Sequence, residues 1–125
     1  MSDRELLELA AKAAGLRINQ AFQAQRDAVS DPAKASLWID DGSTAWNPLT
    51  DDGHALRLAV KLSIGIRSHG PDHWNQPNSS VALYDVGEFG GGRVQVRHGD
   101  DQSASTRRAI VLAAAKIGES MQEKH

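Results

Sequence analysis

The stretch SVALYDVGEFGGGRVQVRHG, residues 80–99, decides the class of fold. In its outer parts, 80–86 and 93–99, apolar and polar residues alternate with a period of two, which is typical of β-strands that bury one face. The residues between them, 87–92, are mostly glycine. A short glycine-rich connection between two such strands predicts an antiparallel hairpin. A phosphate-binding loop is not expected there, because a helix would have to follow the glycines.

Further elements are predicted on both sides of this hairpin. Before it, IGIRS (64–68) predicts a short strand, and residues 69–80, rich in Gly, Pro, Asn and Ser, predict a loop. After it, apolar residues recur at helical spacing and predict a helix over 103–122. This part of the chain therefore predicts three strands followed by a helix.

A second hairpin is predicted nearer the start of the chain. SLWID (36–40) and STAWN (43–47) flank the turn signal DDGS, and their pairing would place Trp38 and Trp46 near one another.

The next stretch, WNPLTDDGHALRLAVKL (46–62), predicts a helix that starts at about residue 51. Thr50 is the predicted N-cap, and Asp51 and Asp52 would occupy the first turn, where carboxylates favour the positive end of the helix dipole. Helix initiation therefore explains these acids without a metal ion, and His54 is expected to lie exposed in the first turn.

The first helix is predicted by its ends. Ser2 and Glu5 match a capping box, and Gly15 suits a left-handed C-terminal cap. Residues 16–34 are ambiguous and predict a short helix or a long loop. The whole chain, 1–125, predicts a single α+β domain: a sandwich of a mainly antiparallel sheet of about four to five strands with helices packed on it, in the order α, β-hairpin, α, βββ, α. Residues 16–34 and 69–80 are its expected loops or irregular segments.

Composition limits the classes of function. The chain of 125 residues is 40% hydrophobic and has a net charge of −2, which argues against nucleic acid as a partner, although it leaves room for a local basic face. There is no cysteine, which excludes disulfides, thiolate zinc sites and a cysteine nucleophile. The longest apolar run, AIVLAAA, is far too short to span a bilayer. We therefore expect a soluble protein of a reducing cytosol, without membrane contact.

One group of residues offers metal ligands. His69, Asp72 and His73 could bind a divalent ion, since imidazole and carboxylate suit several first-row metals. A Gly-Pro step separates the histidines, and a further protein ligand would have to come from the distant His98. We therefore expect no metal and no cofactor. The loop is instead interpreted as solvated, or as a ligand-facing lip on which Trp74 stacks.

Arginines form the other candidate site. Arg107 and Arg108 open the last predicted helix, where a cation is poorly placed against the helix dipole. They could contribute to an anion-recognition surface, or they could be ordinary exposed charges paired with Asp100 and Asp101. The remaining arginines that could join such a surface are Arg57, Arg67, Arg93 and Arg97. No nucleophile–base motif occurs, so an enzyme is not expected.

Three segments resemble small proteins of tailed phages and prophages, in particular the phage ABA-sandwich domain family: RELLELAAKAAG (4–15), residues 46–66 and TRRAIVLAAAKIGE (106–119). The resemblance implies an α/β/α-like sandwich, a phage accessory role and a location in the cytoplasm of a bacterial host cell. It implies no catalytic residues. It directs attention to Trp46, Asn47 and Arg57 as candidate ligand-binding residues.

Three functions are expected in turn. The first is a non-enzymatic phage accessory protein that binds a host or phage protein, or itself, with a host-takeover or anti-defence role. The second is a binder that sequesters an anionic nucleotide signal, with arginines on the phosphates and a Trp stacked on the base. The third is a module like the double-stranded-RNA-binding domains, which share the order α-β-β-β-α.

Overall fold

Four helices and five strands make up the described part of the chain, residues 2–29, 36–39, 44–72, 74, 77–86 and 90–123 of a computed structural model. The helices are α1 (Asp3–Ala13), α2 (Gln20–Val29), α3 (Asp52–Leu62) and α4 (Gln102–Glu123). The strands are β1 (Leu37–Ile39), β2 (Thr44–Trp46), β3 (Gly65–His69), β4 (Ser79–Asp85) and β5 (Gly91–Arg97).

The strands form two antiparallel sheets, β1-β2 and β3-β4-β5. This confirms the predicted α+β class and the predicted order of elements. In the hairpin that decides the class, Ser79 pairs with Arg97 and Asp85 pairs with Gly91. The β3–β4 connection is shorter than expected, because β3 continues to His69 and β4 begins at Ser79.

Helix α4 covers one face of the three-stranded sheet. The central row of that face, Ile66, Ala82 and Val94, is apolar, as an amphipathic sheet requires. Next to it, the Ser80 hydroxyl lies 2.7 Å from the hydroxyl of Thr106 in α4. Among the described elements, α4 is the helix that packs extensively on these strands. The opposite face of the sheet is therefore left without a helix across it.

Helices α1 and α4 make the most extensive contact between described elements. Leu6, Leu7 and Ala10 of α1 are buried in it, and so is a row of alanines in α4. A Cβ atom at Gly118 would collide with the backbone carbonyl group of Leu9. The two helix backbones approach so closely that only glycine fits at this point.

The ends of α1 confirm the predicted caps, but the start of α3 does not. The Ser2 hydroxyl accepts a hydrogen bond from the Glu5 N–H, and Gly15 has a φ of +72°. In α3 the N-cap is Asp51, whose carboxylate accepts from the His54 N–H at 2.8 Å. The prediction that Thr50 caps α3 is wrong; its hydroxyl lies 3.4 Å from the Asn47 carbonyl oxygen instead.

Helix α2 corrects the predicted loop over residues 16–34 in favour of the short helix, at least up to Val29; residues 30–34 lie outside the described residues. Its first turn is capped by Asn19, whose amide oxygen accepts from the Phe22 N–H at 3.0 Å. Its buried side is polar at Gln23, whose amide oxygen accepts from the Trp38 N–H at 2.8 Å. A polar residue on the buried face masks the helical pattern in the sequence.

The first hairpin forms as predicted, but its register separates the two tryptophans. Leu37 pairs with Trp46, and Trp38 pairs with Ala45. Because neighbouring residues of a strand point to opposite faces, the two indoles lie on opposite sides of the hairpin. Trp46 is buried in the core, whereas Trp38 packs against Phe22, with ring centroids 5.0 Å apart.

Candidate functional site

A cavity of about 210 Å³ brings two candidate residues together, Trp46 and Arg57. Trp46 belongs to its buried wall, while Arg57 and Lys61, one turn apart on α3, are exposed at its rim. Arg57 also reaches the start of its own helix, close to Gly53. The cavity therefore combines an apolar interior with two cations at the entrance. Its remaining lining residues are Ala14, Leu16, Ile39, His54 and Leu58.

Asn47, the third residue to which the resemblance points, organises the turn before α3. Its amide oxygen accepts from the Leu49 N–H at 3.1 Å, and its own N–H donates to Nδ1 of His54 at 3.1 Å. His54 is thus half-buried and bonded, which corrects the expectation of an exposed first-turn residue. The His54 N–H bond to the carboxylate holds the pKa of Asp51 below its ordinary value. These contacts give Asn47 a structural role.

A second cleft, of about 330 Å³, lies between α3, β3 and the first turns of α4. On one side, Arg107 donates from Nε to the Leu49 carbonyl at 2.8 Å and from a terminal nitrogen to Asp52 at 2.6 Å. On the other side, Leu56 and Ile66 supply apolar surface. The rest of the lining is Ala55, Ser68, Gln102, Ser103, Thr106 and Ile110.

The candidate arginines do not converge on one surface. Arg57 lines the first cavity, Arg107 lines the second cleft, and Arg108 donates to Asp3 of α1 at 3.0 Å. Neither Arg107 nor Arg108 opens α4, because that helix begins at Gln102. Their carboxylate partners are Asp52 and Asp3 rather than the expected Asp100 and Asp101. The structure therefore does not build one anion site from these side chains.

The candidate metal ligands are not brought together in the part of the chain that the structure describes, where no group of three or more His, Asp and Glu residues could hold an ion. His69 lies with Nδ1 3.4 Å from the Ser79 hydroxyl, and Asp72 is exposed in the turn that follows. His73 falls outside the described residues. Trp74 is 86% exposed.

A buried polar chain links the sheet to α4, and the sequence did not indicate it. The Ser80 hydroxyl lies 2.8 Å from Nε2 of His98 and 2.7 Å from the Thr106 hydroxyl, which itself donates to the Gln102 carbonyl. A serine beside a histidine is the geometry of an activated nucleophile. Ser80 is fully buried, however, so the arrangement fits a structural link. A serine on the apolar face of a strand was the signal that could have revealed it.

An exposed apolar surface adjoins the second cleft. Leu56 and Val60, one turn apart on α3, are 61% and 71% exposed, and Ile66 of β3 is also exposed. β3 is an edge strand, whose outer edge pairs with no other strand among the described residues. We call these three side chains together with strand β3 the α3–β3 surface.

Two broader comparisons complete the description. No helix within the described ranges is both long enough and apolar enough to cross a membrane. Comparison with protein-family models, curated proteins and solved structures finds no match to this chain. The resemblance to phage proteins therefore stays a prediction from the sequence.

Proposed function

We propose that this protein is a non-enzymatic binding protein, a phage or prophage accessory protein that acts on a host or phage protein in a host-takeover or anti-defence role. The observation that supports the proposal best is the α3–β3 surface. Large aliphatic side chains there are exposed to water beside an open strand edge and a cleft. Surfaces of this kind mark sites of protein contact.

The physical gain from covering this surface is substantial. Burying an exposed Leu, Val or Ile side chain contributes about 1.5–3 kcal/mol. An edge strand offers backbone N–H and C=O groups to an extended segment of a partner. The cleft lined by Leu56 and Ile66 could then accept one side chain of that segment. Affinity would come from the backbone pairing and the apolar contact together.

A different protein fits the strand edge better than a second copy of this chain does. Two β3 strands paired antiparallel about their centre would place Arg67 opposite Arg67 of the other copy, because it is the middle residue of Gly65–His69. Like charges directly opposite each other destabilise a strand pair. Self-association is therefore the lesser form of the proposal.

The test is capture of host proteins from lysate by the tagged chain, with a sizing measurement of the chain alone. The double variant Leu56→Ser, Val60→Ser should lose the captured protein. The matched control, Met121→Ser, removes an exposed apolar side chain of α4 and should retain it. A capture that the double variant leaves unchanged, or a monomer that captures nothing, would count against the proposal.

A second candidate function is the binding of a small anionic molecule in the Trp46–Arg57 cavity, which Arg57 and Lys61 at the rim support. Its volume of about 210 Å³ is below the roughly 300–1,000 Å³ of typical ligand sites, so it suits part of a nucleotide signal rather than a whole dinucleotide. Native mass spectrometry with a nucleotide panel tests it. Arg57→Ala should abolish any bound species, and Arg108→Ala should not.

A further inference from the structure

Three arginines share the outer face of the three-stranded sheet, the face turned away from α4. Arg67 of β3 is level with Val81 of β4, and Arg93 and Arg97 of β5 stand one row to either side. Because side chains alternate between faces, all three project from the same side. Strand spacing places the Cα atoms of Arg93 and Arg97 about 13 Å apart, with that of Arg67 about 12 Å from each.

The charge of this face is not neutralised. Arg4, Arg107 and Arg108 each have a carboxylate partner, whereas Arg67, Arg93 and Arg97 are exposed and form no ion pair with any described residue. Among the strand positions of the outer face, Asp85 is the one acidic residue. Three arginines against one aspartate leave an excess of two positive charges on a chain whose net charge is −2. The charge is therefore segregated, and the net value hides a local basic face.

We propose that this outer face binds the phosphate backbone of a nucleic acid. A guanidinium group is matched to phosphate in shape and charge, and can donate two hydrogen bonds to it. Both cavities described above lie elsewhere, so the outer face suits an extended polyanion more than a small one. With Val81 and Leu83 between the arginines and no aromatic residue in these strand positions, the face would hold the backbone without reading bases.

An acidic peptide fits this face less well. Along an extended peptide, one face receives a side chain only every second residue, at intervals of about 6.8 Å. A nucleic-acid strand carries one phosphate for about every 3.4 Å of rise. Over the span from Arg93 to Arg97 a nucleic-acid strand thus presents about twice as many negative charges as the peptide does.

The test is fluorescence anisotropy of labelled 20-mers, as duplex DNA, duplex RNA and single strands, titrated with the full chain at several salt concentrations. Three phosphate contacts predict a slope of log K against log salt of about −2.7 for duplex DNA, which corresponds to about 40-fold weaker binding at 200 mM than at 50 mM salt. Each single Arg→Ala substitution on the face should reduce the slope by about 0.9. Lack of binding to every 20-mer at 20 mM salt would overturn the proposal, as would equal affinity for polyglutamate.

Matched variants separate this face from general electrostatics. The triple variant Arg67→Ala, Arg93→Ala, Arg97→Ala should lose binding. The control triple Arg17→Ala, Arg57→Ala, Arg108→Ala makes the same change in charge away from the face and should retain it; equal loss in both would overturn the proposal.

Two further variants keep the test decisive if the first triple is poorly folded. Asp85→Asn removes the lone acid of the face and should tighten binding, while unchanged or weaker binding would count against it. Leu56→Ser with Val60→Ser should leave nucleic-acid binding intact, so that failure of the protein-binding proposal is distinguishable from failure of this one.

Discussion

Along the contact of α1 with α4 the buried residues are small, whereas along the outer face of α3 the exposed residues are large. Ala10, Ala113 and Ala114 are fully buried, and Gly118 lies directly against the backbone of Leu9. On α3, Leu56 and Val60 point into water. The first region uses the absence of side chains to bring two helix backbones together. The second leaves apolar area uncovered, which is available for a partner.

The largest effect is expected where the helices are closest, for Gly118→Ala. In a helix interior, alanine would by itself gain about 1 kcal/mol over glycine. The new Cβ, however, would meet the Leu9 carbonyl, which cannot move without moving α1. We expect a net loss of about 2 kcal/mol in the free energy of unfolding, measured by urea denaturation. Gly99→Ala, where a Cβ meets nothing within 4 Å, is the control; equal stability of the two variants would show that the helices are not in close contact.

A smaller loss is expected for Arg107→Ala, which detaches the segment before α3 from α4. Its side chain is 15% exposed and bonded to the Leu49 carbonyl, so its removal should cost about 1–2 kcal/mol. The Asp52 carboxylate is 79% exposed, and Asp52→Asn should therefore change little. Arg108→Ala is the matched control on the neighbouring residue. If it cost as much as Arg107→Ala, the carbonyl bond would not be the cause.

The outer face of α3 should contribute almost nothing to folding. Leu56→Ser with Val60→Ser removes two exposed side chains, and we expect each to change the free energy of unfolding by less than about 0.5 kcal/mol. Thermal and urea unfolding would check this. A double variant that unfolds readily would mean that these side chains serve the core, and the contrast with α1 and α4 would fail.

The smallest effect concerns pH at the contact between α1 and α2. Hydrogen bonds from the Arg4 guanidinium hold the pKa of Asp27 below its ordinary value. A lowered pKa in the folded state adds stability that is present above the ordinary Asp pKa of about 3.9 and is lost as pH falls through the folded-state value. Asp27→Asn should therefore be less stable than the natural chain at pH 6, and this difference should shrink in acid. Asp72→Asn, in an exposed turn, should show no such trend.

Local patterns predicted much of this fold, because strand alternation and helix caps are written in neighbouring residues. Ser2 and Gly15 bound α1 as expected, and the glycine-rich connection joins β4 to β5. The facing of Trp38 and Trp46 was not predictable, since one residue of register decides which side of a strand a side chain takes.

The candidate site was harder to predict because it depends on tertiary contacts. Arg107 bonds a carboxylate 55 positions away, which no local spacing encodes. The outer face of α3 was hidden because Ala55, Leu56, Leu58 and Val60 are all apolar, and only packing shows that Ala55 and Leu58 are the buried pair. The Trp46–Arg57 cavity could be anticipated, because the hairpin leads directly into α3.

The pairing of α1 with α4 also has a consequence for how the chain is made. Arg108 and Asp3 hydrogen-bond across 105 positions, so the helix that leaves the ribosome first contacts a helix translated among the last. Until then, Leu6, Leu7 and Ala10 have no α4 to cover them. Closing so long a loop is slow, and exposed apolar residues invite aggregation in the meantime. The nascent chain is thus most vulnerable just before its synthesis reaches α4.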